Sequence, residues 1–189
     1  MTHQESLKRL KEGNTRFVKD HLDGKLQDSS RRSTLIGGQN PYAIILGCAD
    51  SRVVPELAFD TGLGELFTVR VAGNVANISS IASIEYAVVH CKTKLIVVLG
   101  HQSCGAVTAA IAGGDNGDNL NHLLEHIAPA IAKSDKDAGI NEVVKKNAKL
   151  TVIELFNKSS IIENAVNSGK VKIVSAYYHL DTGKVEFLK

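Results

Sequence analysis

The sequence predicts an α/β fold with a mostly parallel central β-sheet, flanked by helices and ending in an antiparallel C-terminal edge strand. The apolar run 95–99 is short and rich in β-branched residues, as expected of a strand buried on both faces, and the run 42–46 repeats the arrangement. Segments with helical spacing separate the predicted strands, and this alternation favours parallel strands joined by right-handed crossovers. The tight-turn sequence 181–183 joins the last two predicted strands, 171–176 and 184–188, as an antiparallel pair.

The chain is predicted to be a single domain, 1–189, whose first part, 1–38, is an N-terminal helical arm followed by a loop. Apolar residues at roughly helical spacing over 6–20 predict one or two amphipathic helices, because a Gly-Asn pair at 13–14 interrupts the pattern. The polar stretch 20–38 predicts a loop that leads to the first strand. The helical arm has no obvious partner within the chain, which favours association with a second copy.

The elements that follow the first strand are predicted from local signals. Pro55 suits the first turn of a short helix, and residues 65–71 predict the next strand. Ser79 or Ser80 is the expected N-cap of a helix that runs to Cys91. Further helices are predicted over 105–111, 120–132, 141–158 and 159–167.

The composition is that of an ordinary globular chain and argues against several classes of partner. Its 22 Lys and Arg are offset by 20 Asp and Glu, so we expect no nucleic-acid binding. No apolar run reaches the roughly 18 residues of a membrane span, so we expect no membrane partner. Three cysteines, an odd number, do not make a disulfide framework, which favours metal-binding or catalytic cysteines in a cytoplasmic protein.

Residues that commonly bind metals directly follow both apolar runs. Cys48 comes after the first predicted strand, and His101 and Cys104 come after the second. In open α/β sheets, ligands bind outside the carboxyl ends of the strands, so these side chains are expected to converge if the two strands are parallel. Two sulfurs and one imidazole nitrogen make three ligands of a tetrahedral zinc site whose fourth position is open or contested.

Alternative interpretations exist for the same residues. Free cysteines are often simply buried apolar residues. A structural zinc with Cys91 as fourth ligand conflicts with geometry, because the strand before His101 would separate the two residues by roughly 20 Å. Cys104 as a nucleophile with His101 as its base would leave Cys48 unexplained. A calcium site in the loop 115–119 lacks the glycine placement and the closing glutamate of an EF-hand.

An acid and a base follow Cys48, since Asp50 and Arg52 flank a serine on the turn that leaves the strand. On an open surface such a pair has little energetic consequence. Beside a metal, a carboxylate held by a guanidinium stays ionised and can accept a hydrogen bond from metal-bound hydroxide. The same carboxylate can instead take the fourth metal position, so an open and a closed site are both possible.

These segments resemble the signatures of the β-class carbonic anhydrases. Residues 48–52, Cys-Ala-Asp-Ser-Arg, resemble the family's Cys-x-Asp-Ser-Arg signature, and residues 100–105, Gly-His-Gln-Ser-Cys-Gly, resemble its Gly-His-x-x-Cys-Gly signature. The resemblance extends to the intervening segments 67–74 and 83–88 and, in outline, to the C-terminal hairpin 178–187. It implies the family's α/β fold and Zn²⁺ as the cofactor.

The resemblance also implies a role for each residue that matches a family motif. Cys48, His101 and Cys104 would be the zinc ligands. Asp50 and Arg52 would be the dyad that orients zinc-bound hydroxide. Substrate binding would fall to Gln39, Phe67, Tyr86 and Gly105. In the plant-like branch of this family part of the pocket comes from a neighbouring subunit. The family is built on a dimer that is often doubled, so a homodimer or homotetramer is expected.

The activity implied by the resemblance is the reversible hydration of carbon dioxide to bicarbonate and a proton, a lyase reaction. Two thiolates and a neutral imidazole cancel the formal charge of zinc, so Asp50 is expected to contribute by orienting the nucleophile. Two alternatives belong to other functional classes. One is a zinc-dependent hydrolase of carbonyl sulfide or carbon disulfide, and the other is a non-catalytic bicarbonate-binding protein, against which the intact Asp50 and Arg52 count.

Overall fold

The computed structural model of the protein describes residues 1–189. The strands are β1 (Ala43–Gly47), β2 (Leu66–Arg70), β3 (Leu95–His101), β4 (Lys172–Tyr178) and β5 (Val185–Phe187). The helices are α1 (His3–Val18), α2 (Ser29–Thr34), α3 (Pro55–Ala58), α4 (Ile78–Val89), α5 (Gly105–Ala112), α6 (Asp118–Glu125), α7 (Ala128–Ala132), α8 (Ile140–Lys158) and α9 (Ser160–Asn167), and a 3₁₀ turn spans Ala72–Asn74. None of these helices combines the length and the apolar character that crossing a membrane requires.

The five strands form one sheet in the order β2-β1-β3-β4-β5. The first four strands are parallel and β5 pairs antiparallel with β4, which confirms the predicted fold class. Strand β3 lies at the centre of the sheet and all of its residues are buried. Its register with β1 places Leu99 beside Gly47, so the segments that follow both strands leave the sheet at the same edge.

The apolar character of β3 is explained by helices on both faces of the sheet. Successive side chains of a strand point to opposite faces. Leu95, Val97 and Leu99 therefore pack in the core that contains residues of α1 and α3. Ile96 and Val98 pack in a second core with residues of α4, α8 and α9. Each such buried side chain contributes about 1.5–3 kcal/mol, so the central strand is held firmly on both sides.

The N-terminal arm contains one helix, which is one of the two outcomes predicted over 6–20, but its packing differs from the prediction. A single helix, α1, continues through residues 13–14, because Asn14 donates side-chain hydrogen bonds to the carbonyl oxygens of Ala58 (2.9 Å) and Gly183 (2.8 Å). Leu10 is fully buried in the core shared with β1 and β3. The arm therefore has a partner within its own chain, and the prediction that it lacks one was wrong.

Several predicted boundaries also change. The predicted loop 20–38 contains the short helix α2, for which the Asp28 side chain accepts a hydrogen bond from the backbone of Arg31 at 2.8 Å. Helix α4 is capped by Asn77 rather than by a serine, and it ends before Cys91. The predicted helix 120–132 is two helices, α6 and α7. These short-range differences leave the sheet topology unchanged.

Gly13 provides a test of how α1 is packed. A Cβ atom on Gly13 would overlap the carbonyl oxygen of Phe59. We expect Gly13→Ala to lower the melting temperature, because overpacking costs about 1–3 kcal/mol and exceeds the gain in helix propensity of about 1 kcal/mol. Thermal unfolding measures this change, with the exposed Thr15→Ala on the same helix as control. A Gly13→Ala variant with a raised melting temperature would contradict the packing described here.

Candidate metal centre

Three side chains that can ligate a metal lie together at the carboxyl edge of the sheet. Cys48 directly follows β1, His101 is the last residue of β3, and Cys104 is the N-cap of α5. Their ligand atoms all lie within 4.8 Å of one another, and the two sulfur atoms are 4.0 Å apart. All three residues are buried. The crossover geometry of a parallel sheet thus gathers residues that are more than 50 positions apart in sequence.

The orientation of His101 suits a metal ligand. Its Nδ1 lies 2.9 Å from the carbonyl oxygen of Gln102, to which Nδ1–H donates. This bond places the proton on Nδ1 and leaves a lone pair on Nε2. The Nε2 atom is buried and has no hydrogen-bond partner. Since an unpaired buried polar atom costs about 1–3 kcal/mol, a cation between this nitrogen and the two sulfurs would remove that cost.

The two thiols shift each other's protonation. The pKa of Cys48 is lowered, chiefly because the Cys104 thiol donates a hydrogen bond to its sulfur, and the pKa of Cys104 is raised by the same contact. The backbone N–H of Gly73 lies 3.4 Å from the Cys48 sulfur and also favours its thiolate. One of the two thiols therefore loses its proton readily, whereas ionisation of the second thiol requires a cation nearby. A metal ion supplies that cation.

Asp50 and Arg52 form an ion pair at the border of this group. The guanidinium donates from Nε to Oδ1 at 2.9 Å and from Nη2 to Oδ2 at 2.7 Å, and the Arg52 backbone N–H also donates to Oδ1. These bonds from Arg52 hold the pKa of Asp50 well below its ordinary value. Oδ2 lies 3.8 Å from Nε2 of His101. The carboxylate is thus held by Arg52 directly beside the three possible ligands.

Three further residues support the site, and sequence reasoning assigned none of them a role. Arg70 donates to the carbonyl oxygens of Cys48 at 3.0 Å and Asp50 at 2.7 Å, which fixes the turn that carries both. Gly73 has φ 69°, a backbone conformation that favours glycine, and a Cβ there would lie 2.9 Å from Cδ1 at the flexible end of Ile127. Asn147 of α8 donates to the Gly73 carbonyl at 2.9 Å. Of these three residues, only Gly73 could have been singled out from the sequence, as a glycine in the loop after β2.

The residues assigned to substrate binding are not all beside the centre within one chain. Gly105 follows Cys104 as the first residue of α5. Phe67 pairs with Ile44 of β1, which lies four residues before Cys48. This separation corresponds to about 13 Å along a strand. The Tyr86 ring lies 6.2 Å from the Phe67 ring. Gln39 lines a cavity of about 940 Å³ near the amino ends of the strands, at the opposite edge of the sheet.

The remaining candidates from the sequence lie apart from the centre. Cys91 precedes β3 and lines the same cavity as Gln39, so it is at the far end of the strand from His101. In the loop 115–119, Asp115 accepts hydrogen bonds from the Gly117 backbone and the Asn121 side chain, both at 2.9 Å. These bonds hold the loop through one oxygen of the carboxylate, Oδ1.

Comparison with known proteins identifies relatives of this chain. The carbonic anhydrase family model matches residues 43–185. Carbonic anhydrase 2 of Mycobacterium tuberculosis is 42% identical over 183 residues, which cover 94% of this chain and 88% of that protein. A Coccomyxa β-carbonic anhydrase structure has a TM-score of 0.78 at 28% identity, covering 85% of this chain and 78% of the other. A Sordaria macrospora β-carbonic anhydrase structure, described as tetrameric, has a TM-score of 0.75 at 25% identity and covers 83% and 85%.

The fold and the site together define an α/β enzyme class in which a Cys-His-Cys group lies at the carboxyl edge of a parallel sheet. The relatives make the assignment specific. This chain belongs to the β-class carbonic anhydrases, which confirms the family and the enzyme class that the signatures predicted.

Proposed function

We propose that this protein catalyses the reversible hydration of carbon dioxide with one Zn²⁺ held by Cys48, His101 and Cys104. The observation that supports this most directly is the buried, unpartnered Nε2 of His101 beside two sulfurs 4.0 Å apart. Thiolate and imidazole ligands suit zinc, and three protein ligands leave one position for substrate chemistry, as in catalytic zinc sites.

The roles that we propose for the metal, Asp50 and Arg52 follow from their charges. When bound, zinc acts as a Lewis acid and lowers the pKa of a water molecule. Asp50 accepts a hydrogen bond from the nucleophile and thereby orients it toward carbon dioxide. Arg52 lowers the pKa of that carboxylate and holds both of its oxygens through a bidentate contact. Arg52 is therefore a positioning residue, because it acts through Asp50.

We also propose that the carbon dioxide pocket is completed by a second copy of the chain. Gln39, Phe67 and Tyr86 lie away from Cys48 of their own chain, and Tyr86 is 49% exposed. Strand β2, which carries Phe67, is an edge strand of the sheet. A homodimer or homotetramer would bring these residues to a neighbouring centre. Light scattering at assay concentration tests this, and a fully active monomer would contradict it.

We propose that the protein resides in a reducing compartment such as the cytoplasm, because the centre depends on reduced thiols. All three cysteines are free, and the two in the centre must stay reduced to act as ligands. Oxidation of Cys48 and Cys104 to a disulfide would remove both sulfur ligands. We expect oxidant treatment of the purified protein to release zinc, which a chromophoric indicator would detect.

A stopped-flow assay of carbon dioxide hydration, with zinc content measured on the same sample, tests the proposed function. We expect about one zinc per chain and a hydration rate proportional to zinc content. Carbonyl sulfide and carbon disulfide should be assayed on the same preparation. A zinc-loaded protein that hydrolyses either compound but does not hydrate carbon dioxide would overturn the proposed substrate, and one that turns over none of the three would indicate a binding protein.

A further inference from the structure

Helix α6 and the residue that caps its carboxyl end carry a pair of histidines that the carbon dioxide chemistry does not use. His122 and His126 are the only two of the seven histidines that are four positions apart. Side chains at this spacing lie on the same face of a helix. Helical geometry continues through His126, whose φ and ψ are −63° and −23°. The centroids of the two imidazole rings are accordingly only 5.7 Å apart.

A carboxylate lies next to this pair. Oε2 of Glu125 is 3.6 Å from Nδ1 of His122, and the side chains of Glu125 and His122 are 74% and 79% exposed. Exposed side chains can rotate to a shared ligand without disturbing the core. The charges of Glu154 and Lys158 of α8 also affect His126. These two side chains pair with each other, with Nζ 3.3 Å from Oε1, so their opposite charges cancel. The net charge next to the two histidines is therefore −1 and comes from Glu125.

The protonation state of His126 also suits ligation. Burial is the largest cause that lowers its pKa. Metal binding requires the neutral imidazole. Outside the buried centre, His179 also lies beside a carboxylate, but it shares the Oε2 atom of Glu186 with Lys145, which donates to that oxygen at 2.8 Å. A cation already occupies that position, so the α6 pair is the better candidate.

We propose that His122, Glu125 and His126 form a surface site for a divalent transition-metal ion, separate from the Cys48-His101-Cys104 centre. Two imidazoles and one carboxylate suit Zn²⁺, Cu²⁺ or Ni²⁺. The site lacks thiolates and is largely exposed, so it binds Zn²⁺ more weakly than the buried centre. It supplies the protein with a second, exchangeable equivalent of metal.

Titration of the zinc-loaded protein with Zn²⁺, in competition with a chromophoric indicator, tests the proposal. We expect one further, weaker equivalent per chain in the wild type. The double variant His122→Gln/His126→Gln should lose this equivalent while keeping the first equivalent and full hydration activity. The single variant His126→Gln should bind the second ion at least roughly 10-fold more weakly. Removing an outer-shell partner of a metal ligand already costs about that much affinity, and His126 is proposed to be a ligand itself.

His21→Gln is the matched control, because His21 is exposed and has no histidine four positions away. It should leave the second equivalent unchanged. Proton NMR gives an independent readout: the ring resonances of His122 and His126 should shift on Zn²⁺ addition, and that of His21 should not. Absence of a second equivalent in the wild type, or its persistence in the double variant, would overturn the proposal. Neither result depends on whether the buried centre hydrates carbon dioxide.

Discussion

Replacing Cys104 with Ser is expected to remove nearly all bound zinc and to abolish carbon dioxide hydration. A serine hydroxyl is not deprotonated near neutral pH, so the centre loses one of its two thiolates. The loss of affinity should exceed the roughly 10- to 100-fold that loss of an outer-shell partner costs, because Cys104 is proposed to touch the metal itself. Zinc content per chain and the stopped-flow hydration rate measure the effect.

The fold should survive this change. Serine has nearly the volume of cysteine, and Cys104 occupies the N-cap of α5, a position at which serine is strongly preferred. Circular dichroism would verify that the variant is folded. Cys91→Ser is the matched control, since Cys91 lies at the other end of β3, and it should keep both zinc and activity. Full zinc content in Cys104→Ser would remove the site as proposed.

Replacing Arg52 with Ala is expected to lower the hydration rate by about 10- to 100-fold while zinc content stays near that of the wild type. Without Arg52 the pKa of Asp50 returns toward its ordinary value of about 3.9, so the carboxylate is still ionised at neutral pH. The loss must then come from orientation. Oδ2 already lies 3.8 Å from Nε2 of His101, and a carboxylate released from Arg52 is free to move toward the proposed metal and close the open position.

Arg52→Lys separates charge from geometry. Lysine keeps the positive charge but cannot make the bidentate contact of a guanidinium, so we expect a rate between those of Arg52→Ala and the wild type. Zinc analysis and unfolding curves on each variant distinguish a positioning effect from loss of metal or stability. Undiminished activity in Arg52→Ala would show that the ion pair is only a surface contact.

The sequence was most informative where a signal is local. The run 95–99 is apolar because β3 is covered on both faces, and this pattern is visible without coordinates. The signatures at 48–52 and 100–105 place the chemistry directly after strands, so the convergence of Cys48, His101 and Cys104 followed from parallel topology alone. Helix ends were less predictable, because Asn77 and the neighbouring serines can all serve as caps.

Tertiary structure decided what depends on residues distant in sequence. Leu10 is buried against strands that follow it by more than thirty positions, and Asn147 of α8 fixes the loop at Gly73, which approaches the Cys48 sulfur. The separation of Gln39 from the centre of its own chain is likewise a property of the assembled sheet. Periodicity and motifs report which elements form and which end of a strand carries function. The packing of one element on another depends on side-chain shape and on hydrogen bonds between distant segments, for which the linear sequence has no local pattern.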